Sequence, residues 1–144
     1  IYFNYISNFY KVFLLIMHLY ETVYVVRQDI SPENLKPIEE KFENLLRLKK
    51  SSIEYKENWG LRSLAYKINN NKKGYYYFLV HNSDPEAITE LERNFKINED
   101  VIRFMTTKTS KVPTEPTPIM KAKIDKENSD RAIPEIDLNE KDTN

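Results

Sequence analysis

The chain contains no cysteine. That removes disulfides, thiolate metal sites and cysteine nucleophiles together, and it fits a reducing compartment. Glycine occurs only at Gly60 and Gly74. A phosphate-cradling loop needs several glycines so that backbone amides can approach the anion. Nucleotide-binding enzymes of the P-loop or Rossmann type are therefore disfavoured. The two histidines, His18 and His81, are too few for a histidine-rich metal centre, and neither a metal nor a cofactor is expected. Charge of one sign is also missing, because 22 basic residues balance 22 acidic ones. A strongly basic chain would announce a nucleic-acid binder, and this composition does not. No uninterrupted apolar run approaches the ~20 residues that cross a bilayer.

What is present falls into three zones. Residues 1–16 are aromatic and apolar: Tyr2, Phe3, Tyr5, Ile6, Phe9 and Tyr10, then Val12 to Ile16. They lack the basic start and the small-residue cleavage site of a signal peptide. Met17 stands directly before a strand-like run. Residues 1–16 are therefore expected to be an upstream or non-native extension, with the native chain beginning at Met17; a membrane or targeting segment is the competing reading. Residues 17–111 carry the globular signals. Residues 112–144 hold Pro113, Pro116, Pro118 and Pro134, many charges and no aromatic residue. Such a segment buries too little apolar surface to offset its ordering entropy, and a disordered tail is expected.

Within residues 17–111, Leu19, Tyr20 and Thr22 to Val26 read as a buried strand. Ser31-Pro32 opens a helix, with serine as the amide-accepting cap and proline at the first position. Leu35, Ile38, Phe42, Leu45 and Leu46 form its apolar face. Pro37 predicts a kink, or a helix that begins near Lys36. Ser52 to Ile68 reads as one long strand or a bent pair. Its apolar set changes phase after Gly60, which predicts a β-bulge. Residues 69–74, Asn-Asn-Asn-Lys-Lys-Gly, read as a turn. Tyr75 to Val80 reads as a strand. Asp84-Pro85 starts a second helix with Ala87, Ile88, Leu91 and Phe95 inward. Val101 to Thr107 is the last strand. Strand, helix, strand, strand, helix, strand is the split βαβ order of the ferredoxin-like α+β fold. Two helices then cover one face of a four-stranded antiparallel sheet, and the other face is left for water or a partner.

Few residues suggest catalysis. Glu39, Glu40 and Glu43, like Glu90 and Glu92, read as the solvated faces of amphipathic helices. His81, at a strand end, reads as a plain structural or solvent-facing histidine. Basic and aromatic residues are more suggestive. Arg62, Lys67, Lys72 and Lys73 cluster around the central hairpin, interleaved with Tyr66, Tyr75, Tyr76 and Tyr77; Arg103, Lys108 and Lys111 follow. Lysine and arginine neutralise phosphate, and tyrosine stacks on unpaired bases. The bland alternative is core tyrosines and a turn kept soluble by lysines. The Gly-Phe-rich motifs of common RNA-binding domains are absent.

Four segments then carry a family resemblance. Tyr20-Glu-Thr-Val-Tyr-Val-Val-Arg27, Trp59-Gly-Leu-Arg-Ser-Leu-Ala-Tyr-Lys-Ile68, Lys72-Lys-Gly-Tyr-Tyr76 and Glu99-Asp-Val-Ile-Arg-Phe-Met-Thr106 resemble, in order and spacing, bacterial ribosomal protein S six (S6). The resemblance implies a structural protein of the small ribosomal subunit and no enzyme. It implies binding to the central domain of small-subunit (16S) ribosomal RNA together with ribosomal protein S eighteen, in a bacterial cytoplasm or an organelle. Carried over, the RNA-binding candidates are Arg103 and Lys108, with Arg62, Lys72, Lys73 and Tyr75. Leu64 and Tyr66 are the candidate protein-partner patch, since the phase change after Gly60 would turn them from the helix-covered face. Ser63 and Lys67 depart from the family pattern, where arginine and proline are common. A small-molecule-sensing or dimerisation module on the same fold is the alternative. An acylphosphatase-like hydrolase fits less well, because Arg27-Gln28-Asp29 ends the first strand without glycine.

Overall fold

The computed structural model describes residues 2–132, with side chains from Ile6 onward. In chain order the elements are α1 (Tyr2–Ile16), β1 (His18–Arg27), α2 (Pro32–Leu48), β2 (Ser52–Ile68), β3 (Asn71–Ser83), α3 (Pro85–Ile97), β4 (Val101–Lys108) and α4 (Pro118–Arg131). They fall into two units, residues 1–114 and 115–144.

In the first unit the strands form one sheet in the order β2-β3-β1-β4, with every neighbouring pair antiparallel. Helices α2 and α3 return the chain between non-adjacent strands, which is the expected ferredoxin-like topology. Tyr24 lies opposite Tyr77 on one side and Phe104 on the other. Directly opposed residues share a face, so this row marks the helix-covered layer. Tyr24, Val26, Tyr77 and Leu79 meet Phe42 and Leu46 of α2 and Leu91 and Phe95 of α3. The Tyr24 and Tyr77 rings stack at 5.0 Å, and Phe42 and Phe95 approach to 4.6 Å.

Several local expectations are corrected. Ser31 takes the extended cap conformation but accepts no backbone amide; its Oγ instead accepts from Asn34 Nδ2 at 2.9 Å. α2 starts at Pro32 and runs through Pro37. That proline sits near the helix start and withdraws one amide, without moving the start to Lys36. The β2–β3 reversal uses only Asn69 (φ 47°) and Asn70 (φ 63°). Two successive left-handed residues suffice for a tight hairpin turn, so Lys72, Lys73 and Gly74 belong to β3. Glu40 is exposed as expected, but Glu43 is buried. Lys56 Nζ at 2.8 Å and Arg47 Nη2 at 3.0 Å compensate its charge and tie α2 to β2.

His81 is fully buried rather than solvent-facing. Its Nε2 bonds Thr22 Oγ1 at 2.8 Å and its Nδ1 bonds Ser83 Oγ at 2.7 Å. Ser83 Oγ donates onward to Ser51 Oγ at 2.7 Å. This chain of hydroxyls satisfies a neutral imidazole inside the helix-covered layer. Burial lowers the His81 pKa from 6.5 to about 4. Unfolded protein therefore takes up a proton that the folded protein refuses. The stability from neutral His81 is complete above pH 6.5 and is lost as pH falls from 6.5 to about 4. The loss is about 3 kcal/mol. Urea midpoints from pH 7 to pH 4 should fall more steeply for the parent chain than for His81→Gln. Parallel profiles would show that His81 does not carry this dependence.

Outside the sheet, α1 exposes Phe9 (68 %) and Leu15 (75 %). No helix among the described residues is long and apolar enough to cross a membrane. In the second unit, α4 occupies residues for which no element was expected. Thr117 Oγ1 accepts from Met120 N at 3.4 Å, and Pro118 stands at the first position. Asp84 and Pro85 open α3 in the same way, although α4 buries no side chain. Residues 133–144 of the expected tail lie outside the described residues. A chain ending at Lys111 should melt within a few degrees of the full chain; a large fall in its calorimetric midpoint would show that later residues stabilise the domain.

Candidate nucleic-acid interface

The face of the sheet away from α2 and α3 is built by the same alternation that builds the core. Val25 lies opposite Tyr76 and Arg103, and Val23 lies opposite Phe78 and Met105. Those side chains share the open face. β2 joins it through a bulge, where pairing skips from Asn58–Tyr77 to Gly60–Tyr76. Gly60 supplies the left-handed backbone (φ 73°) that this bulge uses. The displaced Trp59 stacks on Phe78 at 5.5 Å and on Tyr76 at 6.3 Å. Buried Glu57 accepts from Trp59 Nε1 and from the Tyr55 hydroxyl, each at 2.6 Å. The bond to Glu57 pushes the Tyr55 hydroxyl up to about 12. Val23, Val25, Trp59, Tyr76 and Met105 line a shallow groove of about 330 Å³, with Arg103 at its rim.

The bulge decides where the basic residues go. Before it, Glu57 shares the open face; after it, Arg62 lies opposite Gly74, which lies opposite Arg27. Arg62 therefore belongs to the open face, and Lys72, two residues before Gly74, follows by alternation. Arg103 Nη1 donates to the Tyr66 hydroxyl at 3.2 Å, and its guanidinium carbon is 5.9 Å from the ring centre. Tyr66 is 63 % exposed, while Leu64 is half-buried. The structure thus brings Arg62, Lys72, Arg103 and Tyr66 to the hairpin end of one face.

Three candidates stand elsewhere. Lys73 alternates to the opposite face, and its backbone amide donates to Gln28 Oε1 at 3.2 Å. Tyr75 packs against the core, because alternation from Tyr77 places it in the helix-covered layer. Lys108 ends β4 opposite Tyr20, on the other face from Arg103. Sequence reasoning passed over Trp59, Tyr76 and Met105 as the floor of the groove. Counting outward from Tyr77 would have found Tyr76, since only the middle tyrosine of the three can face out.

Residues 19–108 match the family model described as Ribosomal protein S6. The chain belongs to the ribosomal protein S6 family. It is 46 % identical over 105 residues to "Small ribosomal subunit protein bS6" of Rickettsia bellii, covering 73 % of this chain and 88 % of that protein. The Rickettsia prowazekii protein of the same name matches at 46 %, with 73 % of this chain and 87 % of the relative covered. The crystal structure of 30S ribosomal protein S6 from Thermotoga maritima shares the fold, with a TM-score of 0.62 at 19 % identity. That match covers 80 % of this chain and 99 % of the other. Members of the family are structural ribosomal proteins, and this chain is not an enzyme. The matched segment runs from β1 to β4; α1 and α4 lie outside it.

Gly74 makes the sheet close-packed beside the basic row. A Cβ there would come within 2.3 Å of Val25 Cγ1 and 3.1 Å of the Val26 carbonyl oxygen. Gly74→Ala should destabilise the domain by about 1–3 kcal/mol, read from urea denaturation. Unchanged stability would show that the strand shifts freely at this point.

Proposed function

We propose that this small-subunit ribosomal protein binds the central domain of 16S ribosomal RNA together with ribosomal protein S eighteen, in a bacterial or organellar ribosome. One observation carries the reading: unpaired cations meet an aromatic patch at the hairpin end of the open face. Arg27, Arg47, Lys56 and Arg93 are held by carboxylates. Arg62, Lys72, Arg103 and Lys108 have no carboxylate partner among the described residues. A cation already paired with a carboxylate gives little to a phosphate, whereas a free one releases counterions on contact. Net neutrality therefore conceals a local excess of available positive charge. Leu64, Tyr66 and the groove floor supply the apolar surface that suits a protein partner, since interface cores are rich in aromatic residues and methionine. Residues 17–111 form the binding unit, and residues 112–144 are dispensable for its fold.

The test is assembly of this chain with purified protein S eighteen and a central-domain RNA fragment across a salt series. Arg103→Ala and Lys108→Ala, singly and together, should leave the thermal melt nearly intact. Each lost phosphate contact should weaken assembly and lower the salt slope by about 1. Since the two residues lie on opposite faces, the single variants tell which face meets RNA. A folded double variant with unchanged affinity and slope would remove both from the RNA site.

A further inference from the structure

A polar pocket of about 340 Å³ lies where the end of β1, the Asn69–Asn70 turn and the α3–β4 connection meet. Nothing in the RNA and protein contacts above uses it. Hydrogen bonds fix Arg27 and the turn on two of its sides. Arg27 is pinned through Nε to Asp100 at 2.9 Å and through Nη1 to Asp29 at 2.8 Å. Gln28 Oε1 accepts from the Lys73 amide, so the amide N–H donors of Gln28 are left for a ligand. Asn71 Nδ2 donates to the carbonyls of Ile68 and Asn69 and holds the turn. Ile102 supplies an apolar wall, and Glu99 has no hydrogen bond or ion pair among the described residues.

We infer that this pocket takes one unstacked RNA base, and that guanine is the base it fits. The inference rests on the RNA-binding reading and extends it from phosphate contact to base selection. Phosphate is disfavoured, because the single cation Arg27 stands beside Asp29, Asp100 and Glu99. A lysine or arginine from a protein would satisfy the carboxylates but would set cation against cation at Arg27, and would leave the Gln28 donors facing other donors. A neutral planar group with both donors and acceptors meets all the walls. A free carboxylate with two acceptor oxygens matches the adjacent N1–H and N2–H of guanine, and amide donors match its O6 and N7. RNA proteins read such splayed bases by their edges, often against a guanidinium plane. Register places Arg62 two strands from Arg27, ~10 Å away, so a phosphate held there leaves its base within reach.

The probe is each of the four ribonucleoside 5′-monophosphates, titrated into the ¹⁵N-labelled full chain. Guanosine monophosphate should shift the Gln28 side-chain amide and the backbone amides of Asn70 and Ile102 saturably. It should bind about tenfold more tightly than uridine monophosphate. Glu99→Gln, which keeps the size but loses one acceptor, should abolish that preference and leave the rest of the spectrum unchanged. Equal shifts with all four nucleotides, or the same shifts with inorganic phosphate, would reduce the pocket to charge attraction and overturn the proposal. So would tighter binding of N-acetyl-lysinamide, which would make the pocket protein-facing. If the Arg103 and Lys108 variants assemble normally but the guanine preference holds, the phosphate assignment fails and the base pocket stands; the reverse pattern overturns the pocket alone.

Discussion

The side-chain period of a strand is two, and one inserted residue reverses every position beyond it. β2 spends that insertion between Asn58 and Gly60. Before the bulge, β2 sends Lys56 down to Glu43 of α2 and Glu57 up to the open face. After it, Leu61 lies opposite core-facing Tyr75, and Arg62 joins the open face. A second break in pairing lies between Ser63 and Ile68, around Leu64 and Tyr66. Without the bulge at Gly60, Arg62 would point toward the helices. The open-face position of Arg62 is thus a consequence of that one irregularity. A left-handed glycine makes that irregularity inexpensive.

The same irregularity separates two kinds of charge. On the helix-covered side, charge is matched locally: Glu43 sits between Lys56 and Arg47. These pairs hold elements together and leave little field outside. On the open side Glu57 accepts from the neutral donors Tyr55 and Trp59. Arg62, Lys72 and Arg103 have no carboxylate partner among the described residues. A chain with formal charge zero can therefore present a positive strip to a polyanion, because the distribution of charge and not its sum sets the local potential.

Much of this was legible in the residues. Periodicity gave the order of elements, and Gly60 marked the bulge. Asp84-Pro85 marked the start of α3, where Asp84 accepts from Ala87 N at 2.7 Å. The alternation of Arg103 and Met105 against Phe104 is as expected from β4 alone. What was not legible depended on pairing across the sheet. Tyr75 and Tyr76 are equivalent in composition, and only registration against Val26 and Val25 sends one inward and the other out. Glu43 reads as a surface carboxylate until Lys56 arrives from another element. His81 reads as structural or solvent-facing, and only the folding of Thr22, Ser83 and Ser51 around it decides for the first. The hairpin reads as six residues long because asparagine and glycine tolerate positive φ, but two left-handed asparagines finish the reversal.

The contrast between the two faces of the sheet bears on how such a protein can be held rigidly by partners. Below the sheet, Tyr24, Phe42, Tyr77, Phe95 and Phe104 pack ring on ring, and the Tyr24 hydroxyl is the one buried side-chain polar atom there without a partner among the described residues. Its burial raises its pKa well above the ordinary value, so it stays neutral. An unpartnered buried hydroxyl is tolerated only where surrounding packing over-determines the geometry. Above the sheet, Trp59 is stacked on Phe78 and Tyr76 and oriented by Glu57, so the groove floor is rigid before anything binds. A surface ordered in advance loses little conformational entropy on association. Arg103 and Tyr66, exposed at its rim, are the adaptable part. The closed aromatic layer thus fixes the strands, the strands fix the groove, and long side chains at its margin are left to accommodate the partner.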